Sequence, residues 1–126
     1  MHQFQKHYTR EQARALLPQL RQWLEELAKL NTDREQQERR LAGLMASGQD
    51  VGGELVNTSV KTLGEMKDRL QRFEDRQIIV KDLQRGLLDF PAIVGGKEVF
   101  LCWEKDEEDI EFWHDIDSGF AGREPL

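Results

Sequence analysis

Residues 87–103 read LLDFPAIVGGKEVFLCW. Two runs of aromatic, branched and leucine side chains flank a Gly95-Gly96 pair. Such residues suit a pleated, half-buried surface, and two glycines accept the positive backbone angles of a two-residue hairpin turn. The stretch therefore predicts two antiparallel strands, 87–94 and 98–103. In the second strand Val99, Leu101 and Trp103 point one way and Phe100 and Cys102 the other, because strand side chains alternate. Both faces are apolar. One is expected to pack on helices, the other to lie beneath the tail around Phe120 or against a partner chain.

Asp89 is the discordant residue of this stretch. Aspartate is disfavoured in strands, and a buried charge requires a partner. Three donors are open to it: Arg123 in the tail, His114, or a tryptophan indole. Further β-prone runs, "IIV" at 78–80 and "IEFWH" at 110–114, lie on either side, with Gly86 and "EKDEED" as the connecting turns. The expectation over about 78–126 is a small three- or four-stranded antiparallel β-meander ending in a tail.

Upstream the period changes from two to between three and four. Thr9 followed by Gln12 has the form of a capping box, which starts a helix. Ala13, Leu16, Leu17, Leu20, Trp23, Leu24, Leu27 and Leu30 then recur along one broad stripe. Pro18 lies deep enough to kink the helix or shorten its first turn. "NTDREQQERR" (31–40) is a solvated part of the same long helix, and "ASGQDVGGE" (46–54) is a turn. A second helix follows, with Val56, Val60, Leu63, Met66, Leu70 and Phe73 assigned to one face.

Two helices joined by a short turn run antiparallel, so residues 9–77 are expected to form a long, coiled-coil-like hairpin. The fold class is α+β, a helical hairpin followed by the meander, in a single domain over 1–126. The first helix has a stripe wider than one helix can cover. Either the sheet or a second protomer must take the remainder.

With 33% charged and 38% apolar residues over 126 positions, the composition is that of a soluble chain with one modest core. No apolar run approaches the ~20 residues that span a bilayer, and the first residues lack the apolar centre of a secretion signal. The cytoplasm is the expected location. A single cysteine, Cys102, excludes an internal disulfide and thiol-rich metal sites. The net charge of −6 is uneven: residues 78–126 hold five Lys/Arg against twelve Asp/Glu. That acidity argues against nucleic acid as a partner. A helical patch of Arg39, Arg40, Lys67, Arg69, Arg72 and Arg76 would serve only if its cations shared one face, uncancelled by neighbouring acids.

Residues 81–126 resemble the C-terminal signature of a bacterial family, domain of unknown function 2203. The pattern runs through Lys81-Asp82, Gly86 to Pro91, Leu101 to Trp103, Glu107, Trp113-His114 and Gly119 to Arg123. The resemblance implies no activity. Two positions depart from it: Asp106 stands where the family has a glycine before the glutamate, and Gln77-Ile78 where it has Gly-Val.

Among the chemical constellations, His114, Glu107 and Asp89, with Asp115 and Asp117, offer imidazole and carboxylate donors suited to zinc, manganese or iron. No His-x-His spacing backs them, and acidic hairpin loops are usually solvated turns. "DIDSG" from Asp115 lacks the remaining ligands of a calcium loop. Cys102 with His114 has the residue types of a nucleophile and base, but a thiol between Leu101 and Trp103 reads as a small buried hydrophobe. The candidate cleft comprises Asp89, Trp103, Glu107, Trp113, His114 and Arg123, with Trp103 read as core.

Two function classes follow. The first is a non-enzymatic binding or assembly module that self-associates, most simply as a dimer, or docks another protein. The second is a small metal-dependent or acid/base enzyme centred on His114, with Glu107 and Asp89 assisting. No cofactor is required by the sequence, and a divalent metal is compatible with it.

Overall fold

The computed structural model describes residues 2–126. In chain order it contains α1 (Arg10–Ala46), α2 (Gly53–Asp75), β1 (Ile79–Asp82), β2 (Leu87–Val94), β3 (Lys97–Glu104), β4 (Phe112–Asp115), a 3-10 turn (Phe120–Gly122) and β5 (Glu124–Pro125). Two packed helices precede a five-stranded antiparallel sheet of order β1-β2-β3-β4-β5. The fold is α+β, as the sequence predicts, with one strand more than expected. That strand is made by the tail, where Glu124 and Pro125 pair with Trp113 and Phe112. A proline fits there because an edge strand has no outer neighbour to bond.

Helix α1 opens on the capping box: Gln12 N donates to Thr9 Oγ1 at 3.1 Å, and Thr9 N donates to Gln12 Oε1 at 3.0 Å. The helix runs unbroken through Pro18, which lies on its exposed side, away from the buried stripe. Ala13, Leu17, Leu20, Trp23, Leu24 and Leu27 are buried against Phe73 and Ile78 and against Leu88, Phe90, Ala92, Val99, Leu101 and Trp103 of the sheet. Each leucine so buried contributes roughly 1.5–3 kcal/mol. The broad stripe of α1 is thus taken up within the chain, by the core face of the sheet.

Helix α2 is rotated relative to the sequence reading. Met66 and Phe73 face the core, but Val56, Val60, Leu63 and Leu70 point outward, with exposures of 42%, 63%, 52% and 38%. The rotation is set near the C-terminal end of α2, where Phe73 packs edge-on against Trp23 at 5.4 Å and Arg69 meets Glu26 at 3.4 Å. Further along the hairpin the seam becomes polar: Gln37 Nε2 donates to Thr62 Oγ1 at 3.0 Å, and Gln37 Oε1 and Ser59 Oγ are buried without a hydrogen-bond partner.

The Gly95-Gly96 turn is as expected, both residues having positive φ, 60° and 79°. It fixes the β2–β3 register residue by residue, from Val94 opposite Lys97 to Leu87 opposite Glu104. Gln77 has φ +57°, alone among the described non-glycine residues. It is one of the two positions where the sequence departs from the resembled pattern, and its side chain has a use there: Gln77 Oε1 accepts from Gln5 N at 3.1 Å and Lys6 N at 2.8 Å, tying down the N-terminal arm. Asp106, the other departure, has no positive φ.

Gly86 is the turn residue with least freedom. Its φ is +65°, and a Cβ there would lie 2.8 Å from Lys105 Cβ. Gly86→Ala is therefore expected to destabilise the fold by about 1–3 kcal/mol in urea unfolding. Gly95→Asn should cost well under half of that, because asparagine tolerates the left-handed region and nothing crowds that position within 4 Å. Equal losses for the two variants would contradict this account of the turn.

Candidate functional site

The face of the sheet turned away from the helices holds the chemistry. Alternation puts Asp89 of β2, Cys102 of β3 and His114 of β4 on that face, and the registers bring them together: Asp89 lies opposite Cys102, and His114 opposite Phe100. All three are buried, at 1%, 1% and 2% exposure. His114 Nε2 lies 3.0 Å from Asp89 Oδ1, and Nδ1 lies 2.8 Å from the carbonyl oxygen of Asp115. A carbonyl only accepts, so Nδ1 carries a proton, and Nε2 and the carboxyl hold a second proton between them.

Burial pushes the Asp89 carboxyl above its usual range, while the hydrogen bond and charge of His114, with Lys81 and the Cys102 thiol, draw it part of the way back. Burial, with the Asp89 charge added, pushes the Cys102 thiol up to about 11 against the pull of Arg123. Cys102 therefore remains a thiol at neutral pH, which removes the basis for a nucleophile–base pair with His114.

Arg123 does not reach Asp89. Its Nη1 donates to Glu107 Oε1 at 2.9 Å and lies 3.9 Å from Cys102 Sγ. Glu107 is preorganised for this contact, since the same Oε1 accepts from Glu104 N at 2.8 Å, and its carbonyl accepts from Trp103 Nε1 at 2.9 Å and Arg21 Nη2 at 2.7 Å. The guanidinium lies over Phe112 at 3.9 Å and Phe120 at 4.1 Å. Burial works against its charge, but Glu107 more than compensates and raises its pKa. The tail is thereby clamped across the cysteine, and Phe4 closes the other side against Phe100 at 5.4 Å.

Of the six cleft candidates, Asp89 and His114 touch, Glu107 and Arg123 pair at the sheet rim, and Cys102 stands between the two pairs. Trp103 and Trp113 lie on the opposite face, Trp103 fully buried and Trp113 half-buried against the helical core. Glu107 is thus separate from the His114–Asp89 pair in the proposed ligand set, and Cys102 takes the third place beside them. That neighbour was legible in principle: residues 89 and 102 flank the Gly95-Gly96 turn symmetrically, so a two-residue turn alone dictates their pairing.

A second cluster has no counterpart in the sequence reading. His7 Nε2 lies 2.7 Å from Glu98 Oε2, and Gln3 N and Phe4 N donate to Glu98 at 2.8 and 3.1 Å. Burial raises the Glu98 pKa, but these bonds outweigh it and bring the carboxyl down to about 2. His2 completes the group. Its role in the fold is to fasten the N-terminal arm to β3.

Of the six helical cations singled out in the sequence, those at the C-terminal end of α2 are engaged within the fold, whereas Arg39, Arg40 and Lys67 are exposed. Arg69 meets Glu26 and Asp68, Arg72 meets Asp68, and both Arg72 and Arg76 lie over the Trp23 ring. Among the described residues no helix is long and apolar enough to cross a membrane.

A family model described as an uncharacterized conserved protein, DUF2203, matches residues 6–126, and the chain belongs to that family. No curated protein and no solved structure matches it.

The clamp makes a specific demand on Cys102. Arg123→Ala should lower stability by about 1–3 kcal/mol, the range for losing a charge-assisted hydrogen bond to a half-buried partner. It should also speed the reaction of Cys102 with a thiol reagent under native conditions by at least tenfold, because the tail no longer shields the sulfur. Unchanged thiol reactivity in the folded variant would show that Arg123 does not hold the tail.

Proposed function

We propose that this member of the DUF2203 family is a non-enzymatic assembly module that self-associates through the outer face of α2. The observation that carries the reading is the row Val56, Val60, Leu63 and Leu70, exposed along one side of a helix whose inner side already has a partner. The spacings of four, three and seven are those of a helix–helix seam, and the row extends roughly 21 Å at 1.5 Å per residue. Lys67 completes it. At its lower end the row leads into a groove of about 560 Å³ lined by Leu70, Phe73, Ile78, Val80 and Phe4.

The occupant is a second copy of the chain, for two reasons. The polar seam between α1 and α2 leaves the distal hairpin with apolar side chains outside and two unpartnered polar atoms inside. This half of the hairpin gains most from a neighbour. An antiparallel two-fold contact centred on Leu63 places Val56 opposite Leu70 of the copy and keeps Lys67 away from its twin, its methylene stem over Val60. A parallel contact would set Lys67 against Lys67.

The chemistry of the sheet face supports a role without turnover. Asp89, His114 and Cys102 are buried, the thiol is neutral, and the imidazole and carboxyl satisfy each other. A substrate would have to displace the tail to reach them.

Sedimentation equilibrium should give a mass near twice 14.7 kDa at micromolar concentration. Leu63→Glu, at an exposed position, should leave the circular dichroism unchanged and weaken association by about 2–4 kcal/mol, roughly 30- to 1,000-fold. A wild-type monomer at 100 μM or above, or a Leu63→Glu variant that associates as well as wild type, would overturn the proposal.

A further inference from the structure

We propose that Asp89, Cys102 and His114 form a closed site for a divalent transition metal of the zinc class. The site is independent of the self-association reading and lies at the far side of the sheet from α2. One carboxylate oxygen, one sulfur and one imidazole nitrogen all lie within 4.8 Å of one another, on three adjacent strands. Donors around a tetrahedral zinc, with bonds of about 2.0–2.3 Å, stand roughly 3.3–3.8 Å apart. His114 Nε2 and Asp89 Oδ1, 3.0 Å apart, part slightly, and the sulfur, within 4.8 Å of both, closes in, so displacements of about 1 Å per donor reach that spacing.

The donor set is selective. Sulfur with nitrogen suits zinc and cobalt and disfavours magnesium and calcium, which prefer oxygen alone. The surroundings match those of metal ligands elsewhere. His114 donates from Nδ1 to the Asp115 carbonyl, which fixes the ring with Nε2 toward the other two donors, the usual outer support of a ligating histidine. Arg123, 3.9 Å from Sγ and held by Glu107, places a positive charge beside the sulfur. Burial of the three donors keeps bulk solvent from the bonds they would make, leaving room at most for a water carried in with the metal.

Charge balance explains how the same residues are stable empty and filled. Without metal, the carboxyl and imidazole share one proton and the thiol keeps its own, so the cluster is neutral. A divalent cation bound to thiolate, carboxylate and neutral imidazole is also neutral. Filling therefore exchanges one dication for two protons, the thiol proton and the proton shared between Asp89 and His114, both released to solvent. Three protein donors leave the fourth tetrahedral position to water. Entry requires the tail carrying Phe120 and Arg123 to open, so loading should be slow in wild type and faster in Arg123→Ala.

The test is cobalt titration of the full chain after removal of metals with a chelator, under reducing, oxygen-free conditions. One equivalent of cobalt should bring up a thiolate-to-cobalt charge-transfer band, which zinc then abolishes. Cys102→Ser should remove the band, and His114→Ala should weaken binding at least 100-fold. His7→Ala, in the arm cluster, should change neither. Release of about two protons per metal from the wild-type protein, followed in weak buffer, checks the exchange even if His114→Ala fails to fold. No charge-transfer band with the wild-type chain folded, no proton release, or a signal lost in His7→Ala and kept in Cys102→Ser would overturn the site.

Discussion

A carboxyl group inside an apolar sheet has to be neutralised, and much of the C-terminal half is organised by how Asp89 meets that requirement. It lies on β2 with Leu87 and Pro91 on its own face and Leu88 and Phe90 turned to the helices, and it is 1% exposed. Left alone, a charge so placed costs several kcal/mol. His114, brought diagonally across β3, supplies the partner. The pair satisfies itself but would still be open to water if the outer face were bare. Arg123, Phe120 and Phe112 close it on one side and Phe4 on the other. The tail is therefore held by a contact that serves the sheet, and its last residues add a fifth strand as a consequence.

The two faces of the sheet divide the labour. The inner face, with Leu88, Phe90, Val99, Leu101 and Trp103, completes the core begun by α1. The outer face carries the polar groups. The residues through which residues 81–126 resemble the DUF2203 pattern fall on both: Trp103 and Trp113 inward, and Asp89, Cys102 and His114 outward, with Glu107 and Arg123 at the rim. A single motif such as Leu-Cys-Trp thus contributes to both tasks, Leu101 and Trp103 to the core and Cys102 to the outer face, because neighbouring strand residues face opposite ways.

What was legible in the sequence was whatever short-range physics decides. The capping box at Thr9, the stripe of α1, the Gly95-Gly96 turn and the alternation of β3 all follow from local geometry, and each is found in the structure. The rotation of α2 was not legible, because its apolar residues form two rows about a quarter-turn apart. Which row faces α1 is settled by distant contacts, Phe73 on Trp23 and Arg69 on Glu26. The partner of Arg123 depends on the loop that aims Glu107, and that loop is fixed by Trp103 and Arg21 from two other elements. For Asp89 the three open donors could be separated only by the register of β4, which no turn motif dictates. The N-terminal cluster at Glu98 was hidden for the same reason, its members lying more than 90 residues apart.

A double-mutant cycle on Asp89 and His114 measures the central interaction directly, through urea unfolding at neutral pH. Asp89→Ala and His114→Ala should each cost at least about 3 kcal/mol, and the double variant should cost less than their sum by about 2 kcal/mol or more, because removing both leaves no orphaned polar group. Single losses below about 1 kcal/mol, or strict additivity, would mean that the buried pair does not organise this half of the fold.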